Sequence, residues 1–200
     1  MSRAVKPIRV SRASGFSLVE LLLALALGMG LLGVILQALL AEGRNSGQLV
    51  RGLREKAFQR RSMDLVASDL RQAQGIKTFP ELAEPACSLG GRTPVLQLET
   101  AAGPISYSLG RAPSSIWRGQ VLMRCGPAYG LDGRLSFGGS TPNRVVIDGL
   151  MASGPEAFRA EVAAAEGVLR LELVQQFVSG GREQTIRSQR LLDLTGLELR

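Results

Sequence analysis

The sequence predicts an α+β chain: a long N-terminal α-helix, transmembrane in its first half, packed by its second half against an antiparallel β-sheet. Three observations predict it. An apolar run opens the chain, with no charge from Leu21 to Ala41 and Gln37 as its one polar side chain. Helical periodicity then continues in amphipathic form to about Gln74. From about Thr78 the pattern changes to short alternating runs separated by glycine and proline. A chain of 200 residues has room for one membrane-anchored domain or one modest globular domain.

The apolar run sets the first element. As a helix, residues 21–41 span roughly 31 Å, close to the hydrocarbon thickness of a bilayer. The basic residues Arg3, Lys6, Arg9 and Arg12 precede it, and residues 1–15 contain no acid, so more than half of the net charge of +7 sits there. Those flanks keep the start of the chain cytoplasmic and export the rest. An ordinary secretory signal has a shorter apolar stretch with a small-x-small cut site after it. Ala24-Leu25-Ala26 offers such a site, but a further mostly apolar stretch follows, which argues against removal there. Gly28, Gly30 and Gly33 interrupt the run, either for close helix packing or as a stretch that can unwind.

Glu20 is ionisable and lies just inside the run, where an unpaired charge is costly. In the first helical turn a carboxylate also interacts favourably with the helix dipole. The segment Gly15-Phe16-Ser17-Leu18-Val19-Glu20, behind a basic leader and ahead of an apolar helix, resembles the type IV prepilin signal. The resemblance implies a prepilin peptidase cutting at Gly15–Phe16 and N-methylation of the new Phe16 amino group. It also implies that Glu20 neutralises the terminal ammonium of a neighbouring subunit, which would set the stagger between subunits. The alternative is a Glu20 that snorkels to the headgroups of a simple anchor. The expected organisation is a leader at 1–15, a membrane and filament-packing helix at 16–41, an amphipathic continuation at 42–75, and an extracytoplasmic β-rich domain at 76–200.

In the amphipathic part, Leu49, Leu53, Ala57, Leu65, Leu70 and Ala73 fall near 3.6-residue spacing and are the expected buried face, with Gly75 as the stop. Gly43 and Gly47 weaken the junction. A helix over residues 16–74 would be about 88 Å long, more than a soluble domain of this size needs. Arg44, Arg51, Arg54, Lys56, Arg60 and Arg61 form a basic cluster, but Phe58 is its one aromatic residue, and Glu55, Asp64 and Asp69 lie among them. A solvated or intersubunit helix face fits better than a nucleic-acid site.

Strands are expected at 95–99, 105–109, 120–124, 144–148, 168–177 and 185–192. Leu169, Leu171 and Leu173 alternating with Arg170 and Glu172 give the clearest one-sided strand, and Ser179-Gly180-Gly181-Arg182 reads as the turn of a final hairpin. Ile105-Ser106-Tyr107-Ser108-Leu109 with Ile116-Trp117-Arg118 looks like the paired strands of PilW-like minor pilins. The J-type pseudopilins of type II secretion have a similar pair, and Val146-Ile147-Asp148-Gly149-Leu150 suits both families. The chain lacks the Gly-Tyr and early Cys expected of the first family after the helix. It has Gly75-Ile76 there and reaches Cys87 later, so the pseudopilin alternative stays open.

Cys87 and Cys125 both fall in the exported part, where an oxidising compartment would join them; the alternative is two reduced thiols. Histidine is absent, which removes Ser-His-Asp and Cys-His catalysis and His-based zinc sites. Two cysteines are too few for a zinc or iron–sulfur cluster, and no phosphate or dinucleotide fingerprint occurs. No catalytic residue, metal or cofactor is expected. The resemblance implies a minor pilin subunit in type IV pilus assembly and initiation. Its partners would be the prepilin peptidase, other minor pilins or pseudopilins, the inner-membrane assembly platform and, before assembly, membrane lipid. Its place would be the inner membrane, single-pass with the C-terminal domain in the periplasm, and then the pilus or pseudopilus. A single-pass membrane-anchored binding protein is the competitor from another class.

Overall fold

The structure is a computed structural model that describes residues 15, 17–83, 85, 87–151, 155–163, 165–194 and 198–199. It is α+β, one long helix and an antiparallel sheet that curls. The chain divides into two compact units, Met1–Gly47 and Gln48–Arg200. The helix α1 runs Leu18–Leu70 as one element through both. In the first unit every described side chain from Ser17 to Gly43 is exposed. The helix contains a segment long and apolar enough to cross a membrane.

The second unit holds nine strands: β1 (Ala73–Thr78), β2 (Thr93–Thr100), β3 (Gly103–Arg111), β4 (Gln120–Cys125), β5 (Asn143–Leu150), β6 (Phe158–Ala163), β7 (Val168–Ser179), β8 (Arg182–Asp193) and β9 (Glu198–Leu199). The sheet order is β6-β7-β5-β4-β3-β2-β1-β9, with β8 on the other side of β7. The twelve-residue β7 pairs with β8 along its whole length. On its opposite edge it pairs first with β6 and then, through Leu150↔Gln175, with β5. Among the described residues, the one parallel pair joins β1 to β9.

The expected strands are all present, each extended by one to three residues at an end. The hairpin closes at Ser179↔Arg182, where Gly180 (φ 62) and Gly181 (φ 75) supply the two left-handed residues that a tight two-residue turn requires. Ile116-Trp117-Arg118 is not a strand; it lies in the β3–β4 connection, and β3 pairs instead with Gln120–Cys125. The helix ends at Leu70, earlier than its spacing suggests. Ala73 opens β1, and Gly75 lies in that strand beside a register shift rather than capping the helix.

Strand alternation builds two layers on β2–β4. Leu96, Leu98, Ile105, Tyr107, Leu109 and Leu122 face inward and join Met63, Val66 and Leu70 of α1 in the core. The other face carries Gln97, Ser106, Ser108, Met123 and Cys125, which are also buried. The β1–β2 connection covers it: Ala83 N donates to Gln97 Oε1 (2.7 Å), and Gln97 Nε2 donates to Ala83 O (2.5 Å). Cys87 of that connection is joined by a disulfide to Cys125, with Cα atoms 6.1 Å apart. Closing a loop with a sequence separation of 38 contributes about 4 kcal/mol by the chain-entropy argument.

Candidate functional site

The start of α1 is built by two residues. Ser17 N donates to Glu20 Oε2 (3.0 Å), and Glu20 N donates to Ser17 Oγ (3.2 Å). This reciprocal pair is a capping box; each side chain satisfies an amide that the first turn leaves without a helical partner. Leu21 N donates to Ser17 O (3.2 Å), the first bond of the helix. Glu20 is exposed, and its carboxylate closes the cap as well as sitting favourably in the dipole field. Gly15 is exposed. Phe16, with the expected cleavage bond and methylation position, falls outside the described residues.

Beside Met63, Val66 and Leu70, the second half of the helix also meets the sheet through polar side chains. Arg51, Glu55, Gln59, Ser62 and Asp69 recur at spacings of three, four and seven, which places them on one stripe. Arg51 Nη1 donates to Val178 O (2.7 Å) and Gln59 Nε2 to Ile186 O (3.2 Å), while the single Ser62 hydroxyl proton is shared between Phe58 O of its own helix (2.9 Å) and Val146 O (3.3 Å). Ser188 Oγ in turn donates to Gln59 Oε1. Glu55, itself buried, accepts from Gln175 Nε2 (3.1 Å) and faces Arg118 Nη2 (3.4 Å), which also pairs with Asp148. Burial works against the Arg118 charge, and its hydrogen bonds and ion pairs with Asp148 and Glu55 outweigh it, holding the guanidinium above its ordinary value. Just off the stripe, Asp64 pairs with Arg190.

Asp69 ends the stripe with no exposed surface. Its Oδ2 accepts from Arg124 Nε (2.6 Å) and from the Tyr107 hydroxyl; its Oδ1 accepts from Arg124 Nη2 (2.9 Å) and the Tyr129 hydroxyl (2.6 Å). Tyr107 and Arg124 stand directly opposite on β3 and β4, so the ladder aims both at the helix. Arg124 also donates to Pro127 O (3.0 Å) and lies 5.4 Å from the centre of the Tyr129 ring. A buried carboxylate survives because every lone pair has a donor and a guanidinium grips it side-on. Burial, then the Asp69 charge, pushes the Tyr107 phenol well above its ordinary value. Burial and the Asp69 hydrogen bond push Tyr129 up to about 12. Burial opposes the Arg124 charge, and the Asp69 bonds more than restore it.

The outer side of the same helix segment carries apolar side chains among its charges. Leu49 is 65% and Leu53 57% exposed, and Ala57 is exposed between Val50 and Phe58. This corrects the expected buried face: of Leu49, Leu53, Ala57, Leu65, Leu70 and Ala73, only Leu70 is fully buried, and Leu65 and Ala73 are partly so. The sheet presents bare carbonyl groups along β5, β7 and β8, and donors on the helix satisfy them where leucines would not. Of the basic cluster, Arg51 is used in this contact, while Arg54, Lys56, Arg60 and Arg61 are exposed.

Sequence reasoning missed the capping box, the polar stripe and the Asp69 cluster. Ser17-x-x-Glu20 is a local signal that could have revealed the first. The Asp69 partners lie 38 to 60 residues away along the chain and share no local pattern. Comparison with family models, with curated proteins and with solved structures found no match to the chain.

Proposed function

We propose that this protein is an assembly subunit of the type IV pilin superfamily, a PilW-like minor pilin, processed at Gly15–Phe16 and inserted into a filament through α1. The observation that carries the reading is the exposed apolar surface of α1: residues 21–41, with Gln37 as the one polar side chain, and Leu49, Leu53 and Ala57 beyond them. Lipid and then sister helices would cover that surface. Fully burying one leucine side chain stabilises by about 1.5–3 kcal/mol, so neighbouring helices can offset extraction from lipid. The inner membrane would hold the unassembled subunit, with residues 76–200 in the periplasm. Prepilin peptidase, other minor subunits and the assembly platform would be its partners.

The capping box gives Glu20 two roles in this reading. In the free subunit its carboxylate closes the first turn through the Ser17 amide. In the filament it would instead pair with the Phe16 ammonium of a neighbour. Intact-mass analysis should show a mature chain that begins at Phe16 and carries one methyl group. A chain that keeps Met1–Gly15 would sink the proposal and favour a membrane-tethered binding protein. Glu20→Ala should leave processing intact and lower the number of surface filaments; Glu20→Gln, which can still cap, should lower it similarly. A J-type pseudopilin shares all of these features up to the filament it enters, and deletion of the pilus or the secretion apparatus separates the two by which one abolishes incorporation.

A further inference from the structure

Among the described residues the outer edge of β6 carries no paired strand, whereas β1 and β8 are each met in part by another element. β9 pairs along β1. On β8, the carbonyl of Ile186 is taken by Gln59 of the helix. β6, at the other end of the order, pairs only with β7 among the described residues. Its pairing is regular from Phe158↔Leu173 to Ala163↔Val168, with no bulge and no proline to blunt it. A strand edge of this kind presents unpaired amides and carbonyls that match an added strand.

β6 also approaches β1 and β2 without pairing with either. A cleft of about 810 Å³ opens there, lined by the start of β6, the start of β2 and the end of β3. Phe158 and Leu109 form a buried apolar floor, and Pro94 and the exposed Phe79 extend it to the rim. Three charged side chains line it: Arg111, Arg159 and Glu161. Arg159 and Glu161 pair with each other at 3.5 Å. Arg111 is exposed and has no ion pair among the described residues.

We propose that this cleft seats an extended segment of another polypeptide, which adds to the free edge of β6, turns alternate apolar side chains onto Phe158 and Leu109, and sets a carboxylate against Arg111. The chemistry selects this occupant on three counts. The edge demands an extended backbone, the floor takes every second side chain, and the one uncompensated charge is positive. The inference uses only residues of the second unit and stands whether or not the helix enters a filament.

The test uses the full chain in detergent micelles and fluorescence anisotropy. The probe is a fluorescein-labelled octapeptide of alternating valine and threonine with one central glutamate, which spans about 25 Å when extended. Saturable binding is expected. Methylating alternate peptide nitrogens should weaken it at least about tenfold by removing ladder bonds. Arg111→Glu should weaken binding of the glutamate peptide by roughly tenfold and restore binding of a lysine counterpart. Absence of saturation up to about 1 mM, or equal binding of the methylated peptide, overturns the proposal, and so does indifference of both peptides to residue 111. Should Arg111→Glu fail to fold, Arg111→Gln and the methylated peptide on the natural chain decide the same question.

Discussion

The two halves of α1 form one continuous helix and are stabilised in opposite ways. Residues 21–41 are apolar nearly all round, and every one of them is exposed. Residues 48–70 turn Glu55, Gln59, Ser62 and Asp69 inward beside Met63, Val66, Ala67 and Leu70, and leave Leu49 and Leu53 outside. An ordinary surface helix buries few such polar groups and leaves fewer leucines outside. The difference teaches where each half finds its partner. The inward stripe of the second half is satisfied by its own sheet, through specific hydrogen bonds that fix one register. The apolar surface of the first half is exposed, and so are Leu49, Leu53 and Ala57 beyond it. Area burial is non-directional, so a surface of that kind suits exchange between lipid and other helices, whereas the hydrogen-bonded stripe suits permanence.

The largest expected effect breaks the permanent side. Asp69→Ala strands Arg124 and two phenols in the core, and removing one partner of a buried ion pair costs about 3–5 kcal/mol. Urea unfolding of the full chain in micelles, followed by the far-ultraviolet signal, measures it. Asp69→Leu combined with Arg124→Met, Tyr107→Phe and Tyr129→Phe should recover most of the loss, because apolar groups of similar volume replace the desolvated charges and the hydroxyls they held. A loss under about 1 kcal/mol for Asp69→Ala would mean that the polar stripe is incidental and the apolar contacts of Met63, Val66 and Leu70 hold the helix down.

How much of this was legible in the sequence follows from the range of each signal. The apolar run and the strands from β2 to β5 and of the β7–β8 hairpin depend on periodicity within a few residues, and they are found where the periodicity puts them. β1 escaped because Ala73 continued the helical spacing and Gly75 resembled a C-terminal stop. β6 escaped because Phe158-Arg159-Ala160-Glu161-Val162-Ala163 is short and rich in alanine, a weak strand former. The helix face was misassigned for a more instructive reason. Hydrophobic periodicity identifies the stripe that avoids water, and it does not say whether the partner is the same chain or another. Asp69 looked like one of several acids in an amphipathic helix; only β3 and β4, aligned side by side, bring Tyr107 and Arg124 to it.

A subtler effect sharpens the same contrast through pH. Tyr129 titrates near 12 in the folded domain, against about 10 for an unfolded tyrosine. Its folded-state value is raised, so its contribution is fully present below about pH 10 and is lost as pH rises through 12. The stability difference between the natural chain and Tyr129→Phe should therefore stay constant from pH 7 to about 9.5 and shrink above it. Residues 15–47 contain no tyrosine, and amide exchange there should not follow the trend. A difference that is flat through pH 11 would show that the Tyr129 hydroxyl is not held by Asp69.

The smallest effect on the fold is the one that best separates the halves. Leu53→Gln replaces a side chain that is 57% exposed, on the face away from the sheet, and surface changes of this kind alter stability by about 0.5 kcal/mol or less. Gln59→Leu, six residues on, removes the bonds to Ile186 and Ser188 and leaves both groups wanting, at about 1–3 kcal/mol. In a soluble protein with an inward apolar face the order would be inverted, with the leucine the costly loss. If the outer apolar side chains serve other helices, Leu53→Gln should leave unfolding unchanged and still reduce the subunit's recovery in sheared filaments. A variant that is both stable and fully incorporated would leave them without a role and return the apolar surface to residues 21–41 alone.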